Sequence, residues 1–256
     1  MSGEIRLNVP ADSVIARSVR ALARFPTDVP WVLIGGIAVF IRLGSVTRAT
    51  ADADTVARSQ TQLLDRLVAE DPTILVANGD VTVPVDGVDV EVDVMDLADE
   101  PLPHDPERRA FALARGLALN SATTEAVSVT DTTGGIVAEA TLPIATIPAL
   151  VALKTVSMVR RPNSNHPEKV GSDIHDLVRL VDAVGARSIG ETIAAEAPGL
   201  ASWVTDQIER AFGKDLRYTL VRLRRNDRSA AAQALSDDTV GAVSILADVL
   251  HDELTA

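Results

Sequence analysis

The chain contains no cysteine and no long hydrophobic run. Without cysteine there are no disulfide bonds and no thiolate metal ligands, so a metal site must use oxygen or nitrogen donors. No apolar stretch reaches the roughly 20 residues that a membrane-spanning helix needs. The first residues, 1–6, are polar and lack the apolar core of a signal peptide. These features predict a cytoplasmic protein.

Aromatic residues and positive charges are also scarce. Aromatic side chains make up 3% of the 256 residues, which argues against recognition of several splayed nucleic-acid bases. The formal net charge is −12, and this argues against broad non-specific nucleic-acid binding, because phosphate neutralisation supplies most of that affinity. An acidic surface suits a cationic small molecule instead.

Two local groups of basic residues are still compatible with RNA. They are Arg160, Arg161 and Lys169, followed by Arg217, Arg222, Arg224, Arg225 and Arg228. The alternative interpretation of the second group is an ordinary solvated helix face.

The most informative positive feature is a strand that runs into two glycines. Residues 31–34 form a continuous apolar run typical of a buried strand, and Gly35 and Gly36 follow directly. Two glycines let the backbone approach a phosphate with no Cβ in the way. A short helix predicted over 37–43 would place its first N–H groups and the positive end of its dipole there. An ordinary tight turn is the alternative.

A short acidic strand, predicted over 51–56, follows after an interval. Its Asp52 and Asp54 are one residue apart, so their carboxylates face the same way, about 7 Å apart along the strand. A divalent cation is the usual reason to hold two carboxylates together, and such oxygen ligands suit Mg²⁺ that also bridges substrate phosphates. A solvated strand edge is the alternative.

A third carboxylate is expected from a neighbouring strand. Between residues 88 and 96 valines alternate with Asp89, Glu91 and Asp93, which predicts one apolar and one acidic face. Asp93 is the preferred candidate because it lies nearest the end of the strand and its apolar flank. Asp89 and Glu91 fit a solvated face, and the sequence alone leaves the choice among the three open.

The remaining pattern predicts an α+β fold, with a mixed sheet in the first half and a helical bundle in the second. Helices are predicted over 12–25, 59–70, 105–119 and 148–159, and hairpins over 81–96 and 126–142. A further helix should be capped by Ser172 and ended by Gly185, with three or four more between 189 and 253. The predicted domains are 1–145 and 146–256.

This ordered set of features resembles the nucleotidyltransferase superfamily with the polymerase-β-type minimal fold. The superfamily pattern is a strand, Gly-Gly or Gly-Ser, an interval, Asp-x-Asp, and a third Asp on a later strand. Within the superfamily, Arg48-x-Thr50-x-Asp52-x-Asp54 is similar to the AbiEii/MenT branch, which contains toxins of toxin–antitoxin pairs. That branch also carries a helical Lys and a later Asp, which match Lys154 and Asp176. The resemblance covers residues 30–180.

The resemblance implies an enzyme that uses Mg²⁺ or Mn²⁺ and takes an NTP as its substrate. The three carboxylates would hold the metal and serve catalysis, and Gly35 and Gly36 would bind the β- and γ-phosphates through backbone N–H groups. Arg48 would contact a phosphate or fix the Asp-x-Asp strand. Thr50 would hydrogen-bond a phosphate or a metal-bound water, and the sequence does not choose between these roles.

Lys154 and Asp176 both lie among apolar neighbours. A lysine on an apolar helix face is costly to bury unless it meets a counter-charge, which a triphosphate or Asp176 would supply. The alternative is a side chain that snorkels to solvent.

The branch implies transfer to the acceptor end of tRNA by a toxin that a cognate antitoxin protein opposes. Two alternatives are transfer to a small cationic antibiotic or to a protein, and a non-catalytic nucleotide-binding partner module.

Overall fold

A computed structural model describes residues 4–48, 50, 52–77, 79–97, 102–161 and 166–255. The strands are β1 (Ile5–Asn8), β2 (Trp31–Ile34), β3 (Ala53–Ala57), β4 (Leu75–Ala77), β5 (Asp80–Val85), β6 (Val88–Asp96), β7 (Thr123–Thr130) and β8 (Ile136–Ile144).

Helices are interleaved with the strands and then take over the second half of the chain. They are α1 (Val14–Leu22), α2 (Gly35–Leu43), α3 (Gln60–Glu70), α4 (Pro106–Asn120), α5 (Ile147–Arg160), α6 (Val170–Val184), α7 (Ala186–Glu196), α8 (Pro198–Ile208), α9 (Leu216–Asn226), α10 (Ala230–Ala234), α11 (Asp237–Gly241) and α12 (Ile245–Thr255). In the described ranges, no helix combines the length and the apolar character needed to cross a bilayer.

The eight strands seen in the described residues form one mixed sheet, in the order β1-β7-β8-β2-β3-β6-β5-β4. Three neighbouring pairs, β1–β7, β8–β2 and β3–β6, are parallel, and the others are antiparallel. Strand β2 is buried along its whole length, whereas β6 alternates buried valines with polar residues. The predicted α+β fold with C-terminal helices is confirmed.

Three local predictions were wrong. Helix α6 begins at Val170, so Ser172 lies inside its first turn and donates its hydroxyl to the Lys169 carbonyl at 2.8 Å instead of capping the helix. Helix α2 begins at Gly35 and includes both glycines. After Gly185 the described chain forms six α-helices, two of them only 5 residues long, where three or four helices were expected.

The chain divides into two compact units. The sheet unit comprises Met1–Asp99 and Ala118–Thr146, and the helical unit comprises Glu100–Leu117 and Ile147–Ala256. The domain boundary at residue 145 stays a prediction.

Arg42 anchors the C-terminal end of α2 within the sheet unit. Its Nε donates to the Ala145 carbonyl at 2.8 Å, its Nη2 donates to the Ile144 carbonyl at 2.6 Å, and its Nη1 lies 2.8 Å from Oε1 of Glu125. A hydrogen bond from the Thr123 hydroxyl, with a smaller contribution from Arg42, holds the pKa of Glu125 below its ordinary value despite burial. These bonds fix the axis of α2 and therefore the position of its N-terminus.

A buried His–Asp pair ties α6 to the end of α9 in the helical unit. The Nδ1 atom of His175 lies 2.9 Å from Oδ2 of Asp227, and the two residues are 1% and 6% exposed. Burial lowers the pKa of His175 more than the bond to Asp227 raises it. Burial also acts to raise the pKa of Asp227, but hydrogen bonds from Ser229 and His175 outweigh it, so that pKa is lowered.

We expect the helical unit to lose stability as the pH falls below about 6.5, the ordinary pKa of histidine. The folded-state pKa of His175 is lower than this, so the unfolded chain binds the proton first and acid favours unfolding. The lowered pKa of Asp227 adds a further loss below about pH 4. The midpoint of urea unfolding is measured at several pH values between about 7.5 and 5.5, with Trp203 fluorescence in a Trp31→Phe background as the signal.

His175→Asn should remove most of the loss between about pH 6.5 and 5.5, because asparagine does not titrate in this range. His251→Asn, at an exposed position in the same unit, is the matched control and should leave the loss intact. A His175→Asn protein with the original pH dependence would contradict the assignment.

Candidate active site

The site begins at the junction of β2 and α2. Strand β2 ends at Ile34, and α2 begins at the next residue, Gly35, which has a left-handed φ of +71°. A Cβ at Gly35 would lie 2.8 Å from Cγ of Asp54 and closer still to its Oδ2. Both the turn and the close approach of the Asp54 carboxylate therefore require glycine here.

The N-terminus of α2 presents backbone donors at this junction. Ile34 occupies the N-cap position, and its side chain has no acceptor, so it makes no capping hydrogen bond. The N–H groups of a first helical turn have no carbonyl partner within the helix, and they lie at the positive end of the helix dipole. An anionic group bound beside Gly35 and Gly36 would satisfy these donors.

Strand pairing brings the predicted carboxylates together. Strands β3 and β6 are parallel with Asp54 opposite Asp93, and Asp54 is also opposite Ile34 of β2. Asp52 lies one residue before β3. One carboxylate oxygen each of Asp52, Asp54 and Asp93 lies within 4.8 Å of the other two, and all three residues are half-buried.

The structure distinguishes Asp93 from the other two acidic residues of β6. Asp89 and Glu91 are exposed, whereas Asp93 is half-buried and belongs to the carboxylate cluster. The buried Thr55 hydroxyl donates to the Asp93 carbonyl at 3.1 Å, which holds β3 and β6 in this register. The residue opposite Asp54 in this register is Asp93, so Asp93 lies in the carboxylate cluster and Asp89 and Glu91 do not.

Arg48 and Thr50 lie beside the first turn of α2. A Cβ on Gly36 would be 3.0 Å from Nη2 of Arg48 and 3.2 Å from Oγ1 of Thr50. The Arg48 guanidinium carbon also lies 5.3 Å from the centroid of the Phe40 ring. A positive charge and a hydroxyl therefore stand next to the N–H groups at the start of α2. Residues 49 and 51 lie outside the described ranges.

The carboxylate cluster fits a divalent metal ion. Three carboxylates this close repel one another, and the repulsion is stronger in a half-buried setting than in bulk water. Carboxylate oxygens are the donors that Mg²⁺ and Mn²⁺ prefer. Among the described residues, no other group of three or more His, Cys, Asp or Glu side chains is arranged to share one ion.

Replacing Gly35 by alanine should impair the site more than the fold. The new Cβ would overlap Asp54 and displace its carboxylate, so we expect a loss of divalent-metal affinity of about 10- to 100-fold. Gly44→Ala at the other end of α2 is the matched control, since Gly44 also has a positive φ, +62°, but no described residue other than its chain neighbours lies within 4 Å of its Cβ position.

Titration of each variant with Mn²⁺, followed by calorimetry, compares the two affinities. Both substitutions should cost about 1 kcal/mol of stability from backbone strain, but only Gly35→Ala should weaken the metal. Equal weakening by both variants would show that Asp54 does not depend on Gly35.

Lys154 and Asp176, the other two predicted site residues, lie in the helical unit and contact each other. Nζ of Lys154 is 2.8 Å from Oδ2 of Asp176 and 3.0 Å from Oδ1 of Asp173. Lys154 is 7% exposed, and both aspartates are more deeply buried, so the side chain does not snorkel to solvent. The predicted counter-charge from Asp176 is present, and Asp173 supplies a second one.

Asp173 and Arg161 are members of this cluster that the sequence reasoning missed. Nε of Arg161 lies 3.0 Å from Oδ2 of Asp173, so two cations and two carboxylates alternate. The spacing of Asp173 and Asp176, three residues apart on one helix, was the available signal, because such residues share a helix face. His175 between them faces Asp227 instead.

Comparison with known proteins finds matches only among solved structures. No protein-family model matches the chain, and no curated protein matches it. The crystal structure of an antigenic nucleotidyltransferase-like protein from Paracoccidioides brasiliensis aligns with 75% of this chain and 90% of its own, at 17% identity and a TM-score of 0.41. A similarity at this level does not assign a function, which has to be argued from the site itself.

Proposed function

We propose that the protein is a divalent-metal-dependent nucleotidyltransferase, which moves a nucleotide from an NTP to an acceptor and releases pyrophosphate. The observation that carries the proposal is the contact of a carboxylate cluster with a helix N-terminus. Asp54 belongs to the cluster and lies against the backbone of Gly35, the first residue of α2. Metal ligands and phosphate-binding N–H groups are thereby adjacent, as a metal–triphosphate complex requires.

The carboxylates, the first turn of α2 and the side chains beside it would each contribute to this reaction. Asp52, Asp54 and Asp93 would hold Mg²⁺ or Mn²⁺. When bound, the metal would neutralise triphosphate charge and favour ionisation of the acceptor hydroxyl. The first turn of α2 would bind the β- and γ-phosphates, and Arg48 and Thr50 would add a charge and a donor beside them.

These contacts would hold the α-phosphorus for in-line attack. The acceptor oxygen forms a bond to the α-phosphorus while the bond to the β-phosphate oxygen breaks. Pyrophosphate leaves with that oxygen, and the acceptor proton passes to solvent.

For the helical unit we propose that Lys154 helps to bind the triphosphate of the NTP and that Asp176 orients the Lys154 amine. The 2.8 Å ion pair supports the second role. The first role rests on the resemblance of this helix to the AbiEii/MenT branch.

The same resemblance supports the acceptor end of tRNA as the acceptor, and a toxin role opposed by an antitoxin protein. A second candidate acceptor is a small cationic antibiotic, which the net charge of −12 favours.

A label-transfer assay tests the proposal. The protein is incubated with each α-³²P-labelled NTP, Mg²⁺ or Mn²⁺ and total tRNA, beside a panel of aminoglycosides, with an Asp52→Asn/Asp54→Asn protein as control. Label on tRNA that the control protein does not transfer supports the first acceptor, and label on an aminoglycoside supports the second. Absence of both label transfer and pyrophosphate release would contradict the proposed activity.

A further inference from the structure

Helix α9 is amphipathic and carries positive charge on its exposed side. Its eleven residues, Leu216–Asn226, include four arginines and no acidic residue. Thr219, Leu220 and Leu223 are buried, whereas Arg217, Tyr218, Val221, Arg224 and Arg225 are exposed. A solvated helix face usually mixes charges of both signs, so a helix with four arginines and no acidic residue in a chain of net charge −12 favours an anionic partner.

The arginines of α9 differ in what they already contact. Arg224 forms an ion pair with Asp237. Arg222 donates to the Met158 carbonyl at 3.4 Å, and its guanidinium carbon lies 5.4 Å from the ring centroid of Tyr218. Arg217 and Arg225 form no ion pair with any other described residue. We call Arg217, Tyr218, Arg222 and Arg225 the α9 basic face.

The helical unit brings a second basic segment to the same region. Arg222 contacts Met158, two residues before Arg160 on α5. At the start of α6, a Cβ on Gly171 would lie 2.6 Å from the backbone nitrogen of Asp227, so the end of α9 is packed against the segment that carries Lys169. The segments that carry Arg160 and Lys169 therefore pack against α9, and the Arg160 guanidinium carbon lies 4.4 Å from the ring centroid of Phe111.

We propose that the α9 basic face binds the phosphate backbone of RNA. This deepens the proposed function, and rests on it, by naming a surface of the helical unit that would bind an RNA acceptor. Arginine suits phosphate because its planar guanidinium donates two parallel hydrogen bonds. Tyr218, 63% exposed and held beside Arg222, offers one stacking surface for a terminal or unpaired base.

The charge distribution favours a structured RNA over an acidic protein segment. A protein partner would need apolar anchors, and this face offers one valine beside its single aromatic ring. The remaining acidic surface repels a polyanion, so RNA binding must be concentrated on this face. Substitution of a few residues of the face should therefore be enough to weaken binding.

Binding can be measured apart from catalysis. The full-length protein is titrated into fluorescein-labelled bulk tRNA in EDTA, without NTP, and anisotropy is recorded over a range of salt. Arg217→Ala/Arg225→Ala should weaken binding about tenfold at about 0.1 M salt and reduce the slope of log K against log salt by about 2. Tyr218→Ala should weaken binding without changing the slope.

The matched control removes two other exposed arginines of the helical unit. Arg187→Ala/Arg210→Ala changes the net charge equally and should leave affinity within about twofold. An equal loss in both double variants, no binding by the unmodified protein, or displacement of tRNA by an equal charge of polyglutamate would each overturn the proposal. Because the assay contains neither metal nor NTP, an inactive enzyme would not affect it.

Discussion

Asp54→Asn should abolish nucleotidyl transfer, with a loss of about 1,000-fold or more in kcat/KM. Asp54 connects the two halves of the site. It is opposite Asp93 in the register of β3 and β6, and its carboxylate lies against Gly35 at the start of α2. An amide keeps the size of the side chain but removes the negative charge that a divalent ion requires. The label-transfer assay measures the effect.

Stability measurements separate loss of the metal from loss of the fold. Asp54→Asn reduces the repulsion among three neighbouring carboxylates in the absence of metal, so the variant should still fold and melt in one cooperative transition. Mg²⁺ or Mn²⁺ should raise the melting temperature of the unmodified protein and not that of the variant. Glu91→Gln, which neutralises an exposed carboxylate on β6, the strand of Asp93, should retain both transfer and the metal-induced shift. Full activity of Asp54→Asn would refute the metal-site assignment.

The parts of the fold that the sequence predicts well depend on local patterns. The apolar run of β2, the alternation of β6 and the glycine after α6 are each encoded by neighbouring residues, and each is observed. Strands β1 and β4 escaped prediction because, at 4 and 3 residues, they are too short to show a period. The third carboxylate was preferred from its place in the strand, and the register opposite Asp54 puts it in the cluster.

Some contacts between distant segments could not be read from the sequence. The need for glycine at 35 comes partly from a side chain 19 positions away in the chain, and this appears only when β2 and β3 pair. The buried cluster around Lys154 likewise depends on how α5 packs on α6. Its balance of two cations and two carboxylates requires Arg161, whose position at the end of a helix suggests an exposed residue.

Lys154→Met should destabilise the helical unit by about 3–5 kcal/mol, because it removes one partner of a buried ion pair. Asp176 is fully buried and Asp173 nearly so, and Nζ of Lys154 lies 2.8 Å from Oδ2 of Asp176 and 3.0 Å from Oδ1 of Asp173. Methionine matches the length of lysine, so loss of charge rather than loss of volume dominates the change. Urea unfolding followed by Trp203 fluorescence in the Trp31→Phe background measures the effect. Lys214→Met, which breaks an exposed pair with Glu209, should cost less than about 1 kcal/mol.

A compensating substitution then separates the structural role of Lys154 from its proposed role toward NTP. Lys154→Met/Asp176→Leu removes both charges and should regain most of the lost stability, because replacing a buried pair by apolar residues is often neutral. If the amine binds the triphosphate, this restored protein should still have a KM for NTP at least about tenfold higher than the unmodified protein. An unchanged KM would assign Lys154 to the folding of the helical unit alone and leave NTP binding to Arg48, Thr50 and the first turn of α2.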